Sequence, residues 1–170
     1  RIDAVGAYGH RIAAVAGKPG EIELAPYMAD LLVAEEPASL GLKDAPAVAW
    51  VFQKLRPYTG AACFRSSDAG HQELAAAAEA AKLEKASLEH RGGFSILRRK
   101  GALEGAADWT HQYADAANTV VSKDVLVKAP LGILWFGGPS NEGVLPRHGH
   151  GPTPQVAAGR LVIQGRDMLR

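Results

Sequence analysis

The chain has 170 residues, of which 47% are hydrophobic, so it can hold one ordinary domain or a small domain with part of a second. Its 19 basic and 18 acidic side chains nearly cancel, which excludes a protein-wide field that would attract nucleic acid or an anionic surface. No stretch approaches the roughly 20 apolar residues of a membrane span, and the single cysteine excludes a disulfide or a cysteine metal site within the chain.

After the end of a helix at residues 2–8, the predicted elements are a strand, a turn and a second strand. Residues 11–16 have the composition of a short strand, and a Gly-Lys-Pro-Gly turn follows at 17–20. Residues 30–34 form a nearly continuous apolar run, which is typical of a strand buried on both faces of a parallel sheet. The single cysteine, Cys63, is expected to be a buried core residue of a further strand.

A helix and that further strand complete a βαβ unit. Asp44 can cap a helix in which apolar residues recur at helical spacing, namely Val48, Val51, Phe52 and Leu55. Pro57 and Gly60 end this helix, and the apolar residues 61–65 begin a strand that should lie parallel to the previous one. Ligands of such sheets bind beyond the carboxyl ends of the strands, so Glu35, Glu36 and residues 65–68 are candidates for chemistry.

The α/β portion is predicted to end in a helix and a hairpin. Residues 72–83 are rich in alanine and favour a helix, with Leu74, Ala78 and Ala81 toward the sheet. Strands at 86–90 and 94–99 are joined by Arg-Gly-Gly, a short link that is typical of a tight antiparallel turn. The basic cluster at 98–100 is interpreted as a solvated strand edge.

The composition changes after residue 107. Residues 101–107 have no apolar period and are predicted to be a linker. Beyond them, residues 108–170 contain turns and short strand candidates at 125–127, 133–136 and 160–164. The predicted fold class is therefore α/β: a partial Rossmann-like sheet, βαβαβ plus a terminal antiparallel hairpin, followed by a β-rich or irregular segment.

Residues 1–100 resemble the C-terminal half of a class I AdoMet-dependent methyltransferase. The resemblance is carried by the order of the elements and by the helix exit Leu55-Arg56-Pro57-Tyr58-Thr59-Gly60, which leads into the strand at 61–65. It implies S-adenosyl-L-methionine as a small-molecule methyl donor and an acceptor of unknown identity. The family's Gly-rich turn and the acidic residue that binds the ribose have no counterpart in these residues.

The resemblance also implies site residues. Gly17, Lys18 and Pro19 match the turn that contacts the adenine, although the family often has an acidic residue where this sequence has lysine. Glu35 and Glu36 match the strand end that faces the transferred methyl group, which makes them candidate catalytic residues on the substrate side; a solvated strand end is the alternative. The 170 residues would then be an inactive fragment whose bare sheet edge favours self-association.

Residues 108–170 resemble the beginning of a quinoprotein-like β-propeller with PQQ repeats. The matching segments are 109–119, 134–139, 147–152 and 159–165. A PQQ site is built from many blades, so PQQ is not expected to bind to these residues alone. The resemblance as a whole suggests a bacterial multidomain protein.

The sequence is compatible with three functions. The first is a methyltransferase-like domain joined to a propeller, the second is a non-catalytic binding or scaffold protein centred on the propeller, and the third is a PQQ-dependent dehydrogenase. His111, His148 and His150 lack recognised ligand spacing, so no metal site is predicted. Trp109, Tyr113 and Trp135 are expected to pack rather than to stack on a cofactor. The sequence does not indicate a compartment.

Overall fold

A computed structural model describes residues 4, 6–9, 11–132, 153–165 and 169. Its helices and strands follow in the order β1 (Leu31–Ala34), α1 (Ala45–Lys54), β2 (Ala61–Arg65), α2 (Asp68–Ala80), β3 (Ala86–Arg91), β4 (Phe94–Arg99), β5 (Gln155–Ala157) and β6 (Arg160–Val162). Two short 3₁₀ helices, Pro19–Glu21 and Pro37–Leu40, precede and follow β1.

The first four strands form one mixed sheet with the order β1-β2-β4-β3. β1 and β2 are parallel, whereas β4 is antiparallel to both of its neighbours, β2 and β3. The chain therefore places the second strand of the hairpin inside the sheet and the first strand at its edge. This arrangement confirms the predicted mixed α/β content, the parallel β1-α1-β2 unit and the terminal hairpin.

The hydrophobic core lies between the two helices and one face of this sheet. Helix α1 contributes Val48, Val51 and Phe52 to it, and Leu55 follows the helix with no exposed surface. The sheet side of the core consists of alternate strand residues, which point to the same face because side chains alternate along a strand: Leu32, Ala62, Phe64, Leu88 and Leu97. Both helices thus cover the same face.

The opposite face of β1 is open among the residues that the structure describes. Leu31 and Val33 are 63% and 60% exposed, and their neighbour Cys63 on β2 is half-buried. The prediction that β1 is buried on both faces and that Cys63 is a buried core residue is therefore wrong. It fails because β1 is an edge strand and the helices pack on one side only.

The predicted strand at residues 11–16 is also wrong. This segment forms one isolated bridge, between Tyr8 and Ile12, and no ladder with β1. An apolar segment becomes a strand only when another backbone satisfies its amide and carbonyl groups, and the described residues provide no such partner.

Helix α2 begins earlier than predicted. Ser67 is its N-cap and accepts a hydrogen bond from the Gly70 amide at 3.2 Å, so the helix starts at Asp68 rather than at residue 72. Leu74 is buried as predicted. The second buried residue of the helix is Ala77, whereas the sequence predicted Ala78. None of the described helices is long and apolar enough to cross a membrane.

Arg99 corrects the interpretation of the basic cluster at 98–100 as a solvated edge. β4 is an inner strand, and the Arg99 guanidinium lies 3.8 Å from the centre of the Phe52 ring and donates to the Phe52 carbonyl at 2.8 Å. Burial lowers the pKa of this guanidinium from its usual value. The side chain thus closes one end of the core rather than protecting an edge.

The second half contains a small antiparallel sheet. β5 pairs with β6, and Trp109 forms a bridge with Val156 on the other side of β5, with backbone hydrogen bonds of 2.9 and 2.8 Å. The predicted strand at 160–164 is therefore confirmed as a shorter strand, whereas 125–127 is not a strand. The segments 133–136 and 147–152 lie outside the described residues.

Candidate functional site

The carboxyl edge of the sheet is where β1 and β2 end side by side. Glu35 and Glu36 follow β1, and both are exposed. Glu36 contributes its backbone to the next turn, because its carbonyl accepts a 2.7 Å hydrogen bond from the Ser39 hydroxyl. Neither glutamate carboxylate takes part in a hydrogen bond or ion pair within the described part of the chain. The structure thus places both residues at the predicted edge without giving them a partner.

A chain of three hydrogen-bonded side chains lies at the end of β2. The Ser95 hydroxyl on β4 is fully buried and lies 2.7 Å from the Ser66 hydroxyl and 2.8 Å from Nδ1 of His71 on α2. The β2–β4 register brings them together, because Ser95 pairs with Phe64, two residues before Ser66. In one arrangement Ser66 donates to Ser95 and Ser95 donates to His71. The chain then ends on an imidazole nitrogen that acts as an acceptor.

A second histidine holds this arrangement in place. The His71 and His90 rings are stacked, with centroids 4.7 Å apart and planes at 13°. His90 lies 3.2 Å from the Asp68 carboxylate through Nδ1 and donates to the Ser66 carbonyl through Nε2 at 3.3 Å. A protonated His90 can donate in both directions, since both ring nitrogens then carry a proton. The two contacts fix the ring against which His71 packs.

A cavity of about 270 Å³ opens next to Ser66. Its apolar wall includes the buried residues Leu42, Phe64 and Leu74. Polar residues also line the cavity, and two of them neutralise each other, because Lys43 lies 3.1 Å from Glu73. Arg65 is exposed at the rim and has no hydrogen-bonded or ionic partner among the described residues. The cavity therefore has an apolar wall and lies beside Ser66, whose hydroxyl is held by Ser95.

A larger cavity of about 960 Å³ lies at the opposite, amino edge of the sheet. There Asp30 accepts a 2.8 Å hydrogen bond from Arg56 and another from Thr59. These contacts explain the Leu-Arg-Pro helix exit structurally, since Arg56 ties the end of α1 to the start of β1. The parallel strands begin at this edge, so it is the less favourable end for a ligand in an α/β sheet.

The predicted donor residues do not form a donor site within the described part of the chain. Lys18 is exposed and pairs with Glu21 at 3.6 Å, and Gly17 lies against Ile22. Neither Lys18 nor Gly17 lines the cavity at the carboxyl edge or the one at the amino edge, and Pro19 begins the first 3₁₀ helix. The described residues thus offer no cradle for AdoMet.

The second half shows well-bonded turns rather than a ligand cluster. Hydrogen bonds from Thr119 lower the pKa of Asp115, and amide hydrogen bonds from Val127 and Leu126 lower the pKa of Asp124. His111 is exposed and lies 2.8 Å from the Thr110 hydroxyl. No group of metal-ligating side chains occurs among the residues described, and His148, His150 and Trp135 lie outside them.

Sequence reasoning reached Ser66 and Asp68 through the strand end but missed His71, His90 and Ser95. These three residues are separated in the sequence and meet only through the sheet order. The available signal was the hairpin itself: once β4 is placed beside β2, Ser95 must come near the end of β2. Nothing in a local pattern indicates that placement.

Comparisons with known proteins found no match: no family model, no curated protein and no solved structure is significantly similar to this chain.

Proposed function

We propose that residues 1–100 are the C-terminal half of a methyltransferase-like domain of class I that uses AdoMet. One observation carries the proposal, the strand order β1-β2-β4-β3 with a single antiparallel strand inside the sheet. The resemblance implies a sheet that ends in an antiparallel hairpin after the last parallel strand, and the β3–β4 hairpin beside β2 agrees with that. The position of both helices on one face agrees with it, because a doubly wound sheet receives its other helices on the opposite face.

In this proposal the carboxyl edge supplies the acceptor side of the reaction. Glu35 and Glu36 are exposed at the end of β1, and the cavity beside Ser66 lies at the end of β2. These residues would bind and orient the acceptor and exclude water from its reacting atom, and such positioning by itself accelerates a transfer reaction substantially. AdoMet, when bound, would supply the methyl group.

The proposal is tested by calorimetric titration of AdoMet into the full product of the gene and, separately, into the 170 residues. We expect binding by the full product and none by the 170 residues, because the described part of the chain forms no donor cradle. A folded full product that does not bind AdoMet would overturn the proposal.

A charge reversal at the predicted adenine turn sharpens this test. Lys18→Asp introduces the acidic residue that the family often has there, so we expect it to tighten AdoMet binding by the full product. Lys82→Asp is the matched control, since Lys82 is an exposed lysine that follows α2. Equal effects of the two substitutions would show that residues 17–19 do not contact the donor.

A second candidate is a binding or scaffold protein centred on a quinoprotein-like propeller. The observation that favours it is the pairing of Trp109 and β6 on opposite sides of β5, which is how antiparallel strands would begin a blade. PQQ chemistry in a dehydrogenase is the weakest option, because it needs further blades. Failure of a folded full product to bind AdoMet would favour the scaffold function.

A further inference from the structure

The face of the four-stranded sheet opposite the two helices carries a group of apolar side chains. Side chains alternate along a strand, so the register places on this face the residues that lie between the core positions. Its apolar members belong to β1, β2 and β4 and form the apolar column of this open face: Leu31, Val33, Ala61, Cys63, Phe94 and Ile96. Leu31, Val33 and Phe94 are exposed, so the described part of the chain leaves most of the column uncovered.

The width of the apolar column suits one helix. Neighbouring strands lie about 4.8 Å apart, so the column measures about 10 Å from β1 to β4. An α-helix with its side chains is about 10–12 Å in diameter. An apolar sheet face becomes stable when it is buried against another layer, and a helix is one such layer. The column therefore fits an amphipathic helix that lies along the strands.

Arginines lie at both ends of the apolar column. Arg65 on β2 and Arg91 on β3 pair with Phe94 from either side at the carboxyl edge, and Arg98 lies at the amino edge. All three arginines are exposed, and none has an ionic partner among the described residues. Glu89 is the acidic residue that shares this face within the strands, so positive charge is in excess. A helix that covers the column should therefore carry acidic side chains.

A second copy of the chain fits this face less well than an acidic helix. Two copies stacked face to face would bring arginines together in either orientation, because both edges carry them. Glu35 at the end of β1 reduces the positive excess without cancelling it. In a helix the acidic residues can match both edges. Arg98 pairs with Ala61, four residues before Arg65, so the edges are about 13 Å or roughly two helical turns apart.

We propose that an acidic amphipathic helix of the full product, from outside these 170 residues, covers the open face. Its apolar stripe lies on the column and its acidic side chains pair with Arg65, Arg91 and Arg98. The inference rests on the proposed function in one respect, that the full product contains the other half of a doubly wound sheet. It adds the chemistry of the covering helix, which follows from the charges of the face.

Cys63 lies in the middle of the apolar column and serves as a reporter of its cover. It is the single cysteine of the 170 residues and is half-buried in their structure. We expect iodoacetamide to alkylate Cys63 about tenfold more slowly in the full product than in the 170-residue chain, because a covered thiol is inaccessible to the reagent. Mass spectrometry of the peptide that contains Cys63 measures both rates. Equal rates would overturn the inference.

A peptide titration tests the charge preference of the face in the 170-residue chain itself. The probe is a helical peptide of leucine, alanine and glutamate, and its control has lysine in place of every glutamate. At low salt we expect the glutamate peptide to shift the backbone amides of β1, β2 and β4 in NMR spectra. The lysine peptide should bind about tenfold more weakly, because it would place like charges against the arginines. Equal affinities, or shifts confined to other elements, would contradict the proposal.

Charge reversals locate the acidic contacts in the full product. Arg65→Glu combined with Arg91→Glu should speed alkylation of Cys63 about threefold or more, since attraction to the helix becomes repulsion. Each rate is divided by that of the same variant of the 170-residue chain, which removes the direct effect of the new charges on the thiol. Lys82→Glu combined with Arg160→Glu is the matched control, as both residues are exposed and lie outside the four-stranded sheet. Equal ratios for the two pairs would show that the arginines do not hold the helix.

Failure of this inference can be distinguished from failure of the proposed function. If Cys63 is shielded in the full product and the glutamate peptide binds while AdoMet does not, the covering helix stands and methyl transfer falls. If AdoMet binds and Cys63 reacts equally in both chains, methyl transfer stands and the covering helix falls. Protection of Cys63 that grows with the concentration of the 170-residue chain would assign the face to a second copy and so overturn the inference.

Discussion

Gly60 lies between the end of α1 and the start of β2, where the chain passes very close to itself. A Cβ atom at this position would be 2.5 Å from the amide nitrogen of Arg56 and 2.6 Å from its carbonyl oxygen. Both atoms belong to the backbone, so the contact cannot be relieved by a side-chain rotation. The glycine that was predicted to end the helix thus also allows the return of the chain into the sheet.

Gly60→Ala should therefore lower the free energy of unfolding by about 1–3 kcal/mol, the usual cost of forced overpacking. Urea denaturation followed by circular dichroism measures the change. Gly20→Ala is the matched control, since a Cβ there meets nothing within 4 Å. Equal stability of the two variants would contradict the close approach.

Asp115 is a residue whose ionisation stabilises a turn. Its carboxylate accepts hydrogen bonds from the Ala117 amide at 3.0 Å and from the Thr119 hydroxyl at 2.9 Å, and it lies 3.3 Å from the Lys123 ammonium. These contacts favour the charged form, which is why the pKa of Asp115 is lowered. Because its pKa is lower in the folded state than in the unfolded state, the carboxylate stabilises the turn above the unfolded pKa.

That contribution should disappear as the pH falls from about 4, the ordinary value for an aspartate, through the lower folded pKa. NMR of the Thr119 amide and hydrogen exchange across the turn should show the loss in acid. In Asp115→Asn the step should be absent, because the amide does not ionise. An acid step of the same size in the variant would assign the effect to another group.

At the scale of elements, Ser67 decides where α2 begins. Its hydroxyl satisfies one of the amides that have no partner inside the helix. Ser67→Ala should cost about 1 kcal/mol of unfolding free energy, and Ser67→Asp should retain most of the stability, since aspartate also caps. Thermal unfolding of both variants tests this. A loss of similar size in both would mean that the hydroxyl acts in another way.

The elements that sequence reasoning predicted correctly are those with a local signal. The α1 stripe, the Gly92-Gly93 turn with positive φ at both residues, and the apolar β2 are examples. The predicted strand at residues 125–127 does not form. The Asp124 carboxylate accepts hydrogen bonds from the amides of Leu126 and Val127 at 2.8 and 2.9 Å instead. Side-chain capture of the backbone in this way prevents a strand.

The candidate site was less predictable than these elements. Its edge was predicted from the parallel βαβ rule, and Glu35, Glu36 and residues 65–68 do follow the carboxyl ends of β1 and β2. The network around Ser95 depends instead on which strand of the hairpin enters the sheet. The choice between β3 and β4 is decided by the long-range burial of Leu97 and Ser95, and local propensity carries no information about it.

At the scale of the whole molecule, β1 is an edge strand with an apolar outer face. Leu31 and Val33 are exposed there, and the free side of the β1 backbone has no partner strand among the described residues. An exposed edge of this kind is a template for pairing with another chain. Acidic residues flank the strand, namely Asp30, Glu35 and Glu36. Asp30 is neutralised by Arg56, so the two glutamates carry the unpaired charge. They would oppose a second copy that pairs in a parallel manner, because the glutamates of the two chains would then lie side by side.

These opposing features predict weak, salt-dependent self-association of the 170-residue chain. Raising the ionic strength should strengthen it, since salt screens the acidic flanks but leaves the apolar face unchanged. Val33→Lys should weaken self-association about tenfold or more, because lysine on an edge strand discourages pairing. Sedimentation velocity at low and high salt measures both effects.

Val127→Lys is the matched control, as Val127 is similarly exposed but lies outside the strands. A chain that stays monomeric at high salt, or equal effects of the two lysines, would show that β1 is not the contact.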